Sequence, residues 1–224
     1  MTKEQIGLLK SFCAVNTAFV LDNKKIGVLS ADTSCCLFYE PKDFVDFDIP
    51  SSIYQVDEFL NVLETIGIDS IIERSDSYIT LKNNNKKIKY GLAESTVIPT
   101  SKFSVIEDKF SGFDISISFD LEKSELDQIK KISSLLNLDK VIFKVDGKSI
   151  NVVLRGDSTS SSSDSFSITT KGKGNKDTTI SISTEELKKL IPDSYTIESS
   201  DEGLTKFTSK NVESLRYYIA NIAE

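Results

Sequence analysis

The sequence predicts an α+β protein in which one small unit is written twice. An amphipathic helix, a hairpin and a second helix recur after about 120–128 residues, and such self-similarity governs the architecture. Short alternating or apolar β-rich runs far outnumber helical segments, so antiparallel sheets dominate. The few helices sit at matching places in each copy, which suits sheets covered on one side only.

The first copy opens with a helix predicted over Thr2–Asn16, where Ile6, Leu9, Phe12 and Cys13 form one apolar stripe meant for a sheet. Strands are predicted at Thr17–Leu21 and Ile26–Ser30 around the turn Asp22-Asn23-Lys24-Lys25, then at Ser34–Tyr39 and Phe44–Ile49. A second helix is expected over Val56–Ile66. Strands Ser70–Arg74, Tyr78–Leu81 and Lys87–Leu92 follow, with Asn83-Asn84-Asn85 as a polar turn. In the second copy strand Asp114–Phe119 leads into a helix at Lys123–Leu136, with Ser124 as N-cap candidate and Leu126, Ile129, Ile132 and Leu136 as its stripe. Strands Lys140–Val145, Ser149–Arg155, Ser165–Thr170 and Thr178–Ser183 come next, then a helix at Thr184–Leu190 capped by Thr184. Tyr195–Ser199, Leu204–Thr208 and Ser214–Ile219 complete the copy.

Two domains are expected, residues 1–98 and 113–224, each of about 110 residues. Residues 99–112 read as a connecting loop. It carries Phe103, Val105, Ile106 and Phe110, which a fully solvated linker has little reason to hold, so part of it should lie on a surface. The serine tract Asp157–Asp164 is a flexible loop by composition, and Lys171-Gly172-Lys173-Gly174-Asn175-Lys176 reads as a basic tip.

Several classes of function are excluded or disfavoured. No apolar run approaches the roughly 18 residues of a membrane span. The N-terminal residues lack a signal-peptide pattern, and three cysteines with Cys35 and Cys36 adjacent make no disulfide framework, so a reducing cytosol is expected. Histidine is absent, which removes Ser-His and Cys-His catalysis. The basic tip fails the phosphate-loop spacing, zinc spacing is missing, and pairs such as Asp46/Asp48 read as solvated charges. The expectation is no enzyme, no cofactor and no metal. A net charge of −7 counts against a uniformly nucleic-acid-binding surface but does not fix the sign of each face.

The helices carry the chain's suggestive cations. Lys3 and Lys10 flank the first helix, Lys123, Lys130 and Lys131 the third, and Lys188 and Lys189 the fourth; matching the stripes superposes Lys10 on Lys130. Two readings stand. Lysines commonly occupy exposed helical faces, or corresponding helices turn them to one anionic surface. The second helix, with Asp57, Glu58 and Glu64, has no basic residue, so any such wall is patchy.

With those elements in place the sequence resembles the DNA sliding clamps, most closely the polymerase processivity clamp of T-even-type bacteriophages. The resemblance runs over essentially the whole length. It is densest in Leu8-Leu9-Lys10-Ser11-Phe12, Val15-Asn16, and Val45-Asp46-Phe47-Asp48 leading to Ile53-Tyr54 and Phe59-Leu60; Ile132-Ser133 and Leu138-Asp139 carry it in the second half. It implies a DNA-clamp fold of two topologically similar domains, each with antiparallel sheets and two helices. Three chains would join head to tail in a ring around duplex DNA, a closed heterologous assembly. Contact through the seven lysines would then be phosphate-only, sequence-independent and compatible with sliding. The resemblance further implies docking of the DNA polymerase C-terminal tail near Phe103, Val105, Ile106, Phe110, Tyr217, Tyr218 and Ile219, though these could equally be core and edge residues. A separate clamp-loader ATPase, late-transcription factors, and a place on DNA in the host cell cytoplasm are implied as well. The rival readings are a non-enzymatic virion structural or adhesion β protein and, more remotely, a carboxylate hydrolase.

Overall fold

The computed structural model of the protein describes residues 2–42, 47–94, 101–156, 164–175 and 177–222. Val45-Asp46, the expected domain boundary at 98/99, all but the last residue of the serine tract, and Lys176 lie outside the described residues. The chain divides into two compact units, residues 1–105 and 106–224.

The first unit runs α1 (Lys3–Phe12), β1 (Phe19–Asn23), β2 (Lys25–Leu29), β3 (Cys35–Tyr39), β4 (Phe47–Ile53), α2 (Val56–Ile66), β5 (Ile71–Arg74), β6 (Tyr78–Asn83) and β7 (Lys86–Gly91). Its strands are antiparallel, ordered β4-β1-β2-β3 in one sheet and β5-β6-β7 in another, and the bridge Ser52–Ala93 links the two. A capping box starts α1. The Thr2 hydroxyl accepts the Gln5 N–H at 3.1 Å and the Gln5 side chain accepts the Thr2 N–H at 2.8 Å. Ile6, Leu9 and Phe12 are buried, each contributing roughly 1.5–3 kcal/mol of transfer free energy. Cys13, expected in the same stripe, is instead the half-buried C-cap. On α2 the spacing of Val56, Phe59, Leu60, Leu63 and Ile66 buries one continuous face. Strand β4 lies later than expected and contains Pro50. The position is tolerated because β4 is an edge strand and its pairing with β1 shifts register between Leu21 and Asn23.

Residues 101–111, expected as loop, form helix α3 (Ser101–Ser111), and the division between the units falls within it. Phe103, Ile106 and Phe110 recur at helical spacing, so three of the four apolar residues that marked the segment share one side of a helix.

The second unit continues with β8 (Ile117–Leu121), α4 (Lys123–Leu136), β9 (Lys140–Asp146), β10 (Ser149–Arg155), β11 (Ser165–Gly174), β12 (Thr179–Ser183), α5 (Thr184–Lys188), β13 (Tyr195–Ser200), β14 (Leu204–Ser209) and β15 (Arg216–Ala220). Helix, four strands, helix, three strands is the order of the first unit, and β12-β9-β10-β11 repeats the order β4-β1-β2-β3. The second unit differs in β8, which pairs with both β11 and β13 and joins its strands into a single antiparallel sheet. Tyr195 centres the core, edge-on to Tyr217 and Phe207, with its hydroxyl donating to the Ile191 carbonyl at 2.9 Å.

On α4 the buried face is Leu126, Ile129 and Ser133. Ile132 is half-buried and Leu136 is 41% exposed, beside Leu135 at 68%. The predicted stripe therefore stops short. Asn137 turns left-handed at φ 52° and Leu138 folds back into the core, its N–H donating to the Ser133 carbonyl at 2.9 Å. The N-caps also sit earlier than expected: Glu122, whose N–H donates to the Glu125 carboxylate, for α4, and Ser183 for α5.

Candidate nucleic-acid interface

The lysine that the two stripes superpose ties α1 to α2 in the first unit and α4 to α5 in the second. Lys10 of α1 meets the Glu64 carboxylate of α2 at 2.6 Å, with both side chains more than a third exposed. Lys130 of α4 donates to the carbonyls of Lys188, at 3.3 Å, and Leu190, closing the C-terminal end of α5. The equivalence extends from sequence to task, although one partner is a charge and the other is peptide dipoles. Burial lowers the Lys130 ammonium to about 8, against the opposing pull of Asp127.

The remaining lysines divide by engagement. Lys123 pairs with Asp127 at 2.7 Å, Lys188 with Glu185 at 2.6 Å, and Lys189 with the buried Glu186 at 2.7 Å. Lys3 and Lys131 are exposed, and their side chains make no hydrogen bond or ion pair among the described residues. Exposed pairs are worth roughly 0–1 kcal/mol, so a phosphate could displace the carboxylates facing Lys10, Lys123 or Lys188. Lys130 differs, since moving it would strip two carbonyls of their donor.

The residues expected in the partner groove have varied settings. In the first unit Phe103 is buried edge-on to Phe38 with centroids 5.7 Å apart. A Cβ on Gly27 would lie 2.7 Å from the Phe103 ring, so glycine permits that approach. In the second unit Phe110 packs edge-on to Tyr218 at 5.4 Å, with the Lys206 ammonium 5.5 Å from its ring centre. Arg216 of β15 pairs with Glu107 of α3 at 2.6 Å. Alternation along β15 puts Tyr217 and Ile219 on the face opposite Tyr218, both fully buried, with Tyr217 against Tyr195. Among these residues Val105, 46% exposed, and the half-buried Ile106 retain accessible apolar surface.

Sequence reasoning missed that Lys148 joins the basic tip. Strand pairing brings it beside Lys171 and Lys173, which alternate around Gly172 on β11. The alternation was visible in the sequence; the distant partner was not.

No protein-family model matches the sequence, and no curated protein matches it. Solved structures do match in shape. The chain is similar to the PCNA2–PCNA3 complex of Sulfolobus tokodaii at TM-score 0.66 and 14% identity, covering 98% of this chain and 96% of that one. It is similar to A. fulgidus PCNA, solved with the C-terminal region of FEN-1, at TM-score 0.62 and 14% identity, over 98% and 95% of the two chains. The Helicobacter pylori beta clamp bound to a DNA ligase peptide superposes at TM-score 0.67 and 15% identity, over 98% of this chain but 64% of the longer clamp. The chain therefore spans less than two thirds of that bacterial clamp and nearly the whole of the PCNA chains. Its α+β architecture is the fold shared by PCNA and the bacterial beta clamps.

Proposed function

We propose that the protein is a DNA sliding clamp, a non-enzymatic ring of three chains that encloses duplex DNA and tethers a replicative polymerase to it. The observation that carries this reading is an end-to-end likeness to clamps of the same length, combined with a unit repeated within the chain. The sequence resemblance supports a T-even-type phage source, with a clamp-loader ATPase, polymerase tails and late-transcription factors as partners.

Physical features support self-assembly. Ile71 on an edge strand and Leu135 and Leu136 at the end of α4 are exposed apolar side chains, and the outer edge of β11 over residues 165–170 has no pairing among the described residues. An open strand edge is a template for another chain, and exposed apolar groups favour association. Head-to-tail contacts of this kind either close or propagate, and closure gives a ring. Enclosure requires little grip, so a few phosphate contacts suffice and excess cation would retard movement.

Light scattering across a dilution series should give a mass near three times 24.9 kDa at the concentrated end. Loaded on closed circular DNA, the protein should stay bound and be released when the circle is cut. Equal retention on cut and closed DNA, or a monomer at every concentration, overturns the proposal. The Lys3→Glu/Lys131→Glu variant should remain assembled while loading less efficiently, because those two ammonium groups are already free.

A further inference from the structure

A cavity of about 840 Å³ opens in the second unit where the start of β10, the end of β11 and β8 meet. Lys148, Lys171 and Lys173 line it, together with the hydroxyl-bearing Ser118 and Ser149. The three lysine side chains are exposed and make no ion pair or hydrogen bond among the described residues. Asp120 shares the lining and Asp146 lies two residues before Lys148, but neither forms an ion pair with the three lysines among the described residues. Asp120 is held by the Lys210 ammonium at 3.0 Å and the Thr196 hydroxyl at 2.8 Å, which keep its carboxyl below the usual range. Glu198, across Ser118 on β13, is paired with Lys206 at 2.9 Å. Three free cations thus converge in a protein of net charge −7.

Strand geometry fixes the arrangement. At Gly172 strand β11 leaves β10 for β8. A Cβ there would lie 2.4 Å from Ile150 Cγ1 and 2.8 Å from Phe119 Cβ, so the junction closes only around glycine. Lys171 and Lys173 therefore sit at alternate positions on one side of an extended strand, roughly 6.5–7 Å apart. We infer that this cavity binds an acidic peptide in extended conformation, with carboxylates at alternate residues meeting Lys171 and Lys173 and a third meeting Lys148.

A peptide suits the site better than nucleic acid or a small ion. Carboxylates at alternate residues of an extended chain repeat at the same spacing as the β11 lysines. Phe119, the ring in the lining, is 4% exposed and offers no platform on which a base could stack. The volume falls in the range of about 300–1,000 Å³ typical of ligand pockets, and a single phosphate would leave most of it empty. Three flexible lysines give charge attraction without bidentate geometry, so binding should be modest and salt-sensitive.

The test uses the full chain and a fluorescein-labelled decapeptide of alternating Glu and Thr, with Gln replacing Glu in the control. Anisotropy should show saturable binding of the Glu peptide, loss of affinity by about tenfold or more in K148Q/K171Q/K173Q, and no binding of the Gln peptide. A thermal melt of the triple variant, and the single turn variant K148Q, separate lost binding from lost folding. Undiminished affinity in a folded triple variant overturns the inference. Lysine-dependent binding of a thymidine decamer as tight as the peptide makes this a nucleic-acid site and also overturns it. So does displacement of the peptide by equimolar inorganic phosphate, which would mark a simple anion site. None of these outcomes depends on ring formation or DNA retention, so this inference and the clamp reading fail separately.

Discussion

The two units repeat one order of elements yet complete their sheets differently. In the first, β4-β1-β2-β3 and β5-β6-β7 stay separate sheets linked by the Ser52–Ala93 bridge. In the second, β8 pairs with β11 and β13 and makes one sheet of the corresponding strands. The core pattern is therefore sufficient without the extra strand, and what β8 adds is a new junction. That junction is where the basic cavity forms. A duplicated fold can thus keep its packing while one copy acquires a surface the other cannot have.

The sharpest way to break this comparison is to damage one core at a time. Phe12→Ala in the first unit and Tyr195→Ala in the second should each cost roughly 3–5 kcal/mol, since both side chains are fully buried among aromatic rings. Hydrogen exchange should show the loss of amide protection confined to the mutated unit; loss throughout both would mean the units are not independent. A smaller effect separates two strand glycines. Gly172→Ala should destabilise by about 1–3 kcal/mol, because its Cβ has nowhere to go, whereas Gly91→Ala on β7 meets nothing within 4 Å and should change the urea midpoint little.

The equivalent lysines come next. Lys130→Met should cost on the order of 1 kcal/mol through two carbonyls left without a donor. Its ammonium titrates at about 8 when folded and at the ordinary 10.5 when unfolded, so the native state binds fewer protons between those values. Stability from this group therefore rises with pH across that window, and the melting-temperature advantage of the wild type over Lys130→Met should grow from pH 8 to pH 10.5. Lys10→Met should cost under about 0.5 kcal/mol, as befits an exposed pair, and high salt should erase the difference. Reversal of the two magnitudes would mean that the paired helices are not tied in the way the distances indicate.

Much of the fold was legible because its signals are local. Alternation marked the strands, three- and four-residue spacing marked α1, α2 and α4, and the repeat gave the common order of elements. The failures were cases in which a local signal competed with another. Residues 99–112 read as a connecting loop lying partly on a surface, although Phe103, Ile106 and Phe110 carry the helical spacing of α3. The bounds of α4 came out as expected, Lys123–Leu136, but its last stripe position did not: Leu136 is exposed, and the buried leucine is Leu138, just beyond the helix. At the candidate interface, sequence could name the lysines but not their partners. Glu64 lies 54 residues from Lys10, and the α5 carbonyls lie 58 and 60 residues from Lys130. Lys148 was missed for the same reason, since only the pairing of β10 with β11 brings it to the basic tip.

The engagement of the helical lysines bears on how ionic strength would act on a ring around DNA. Each phosphate neutralised by a free cation steepens the fall of log affinity with log salt by about 0.9, but a cation already matched to a carboxylate releases little on changing partner. In the three-chain ring proposed above, Lys3 and Lys131 would supply six unengaged cations, two from each chain. The ring's hold on duplex DNA should therefore tolerate rising salt far better than that of a repressor, with the limit set by the joints between chains.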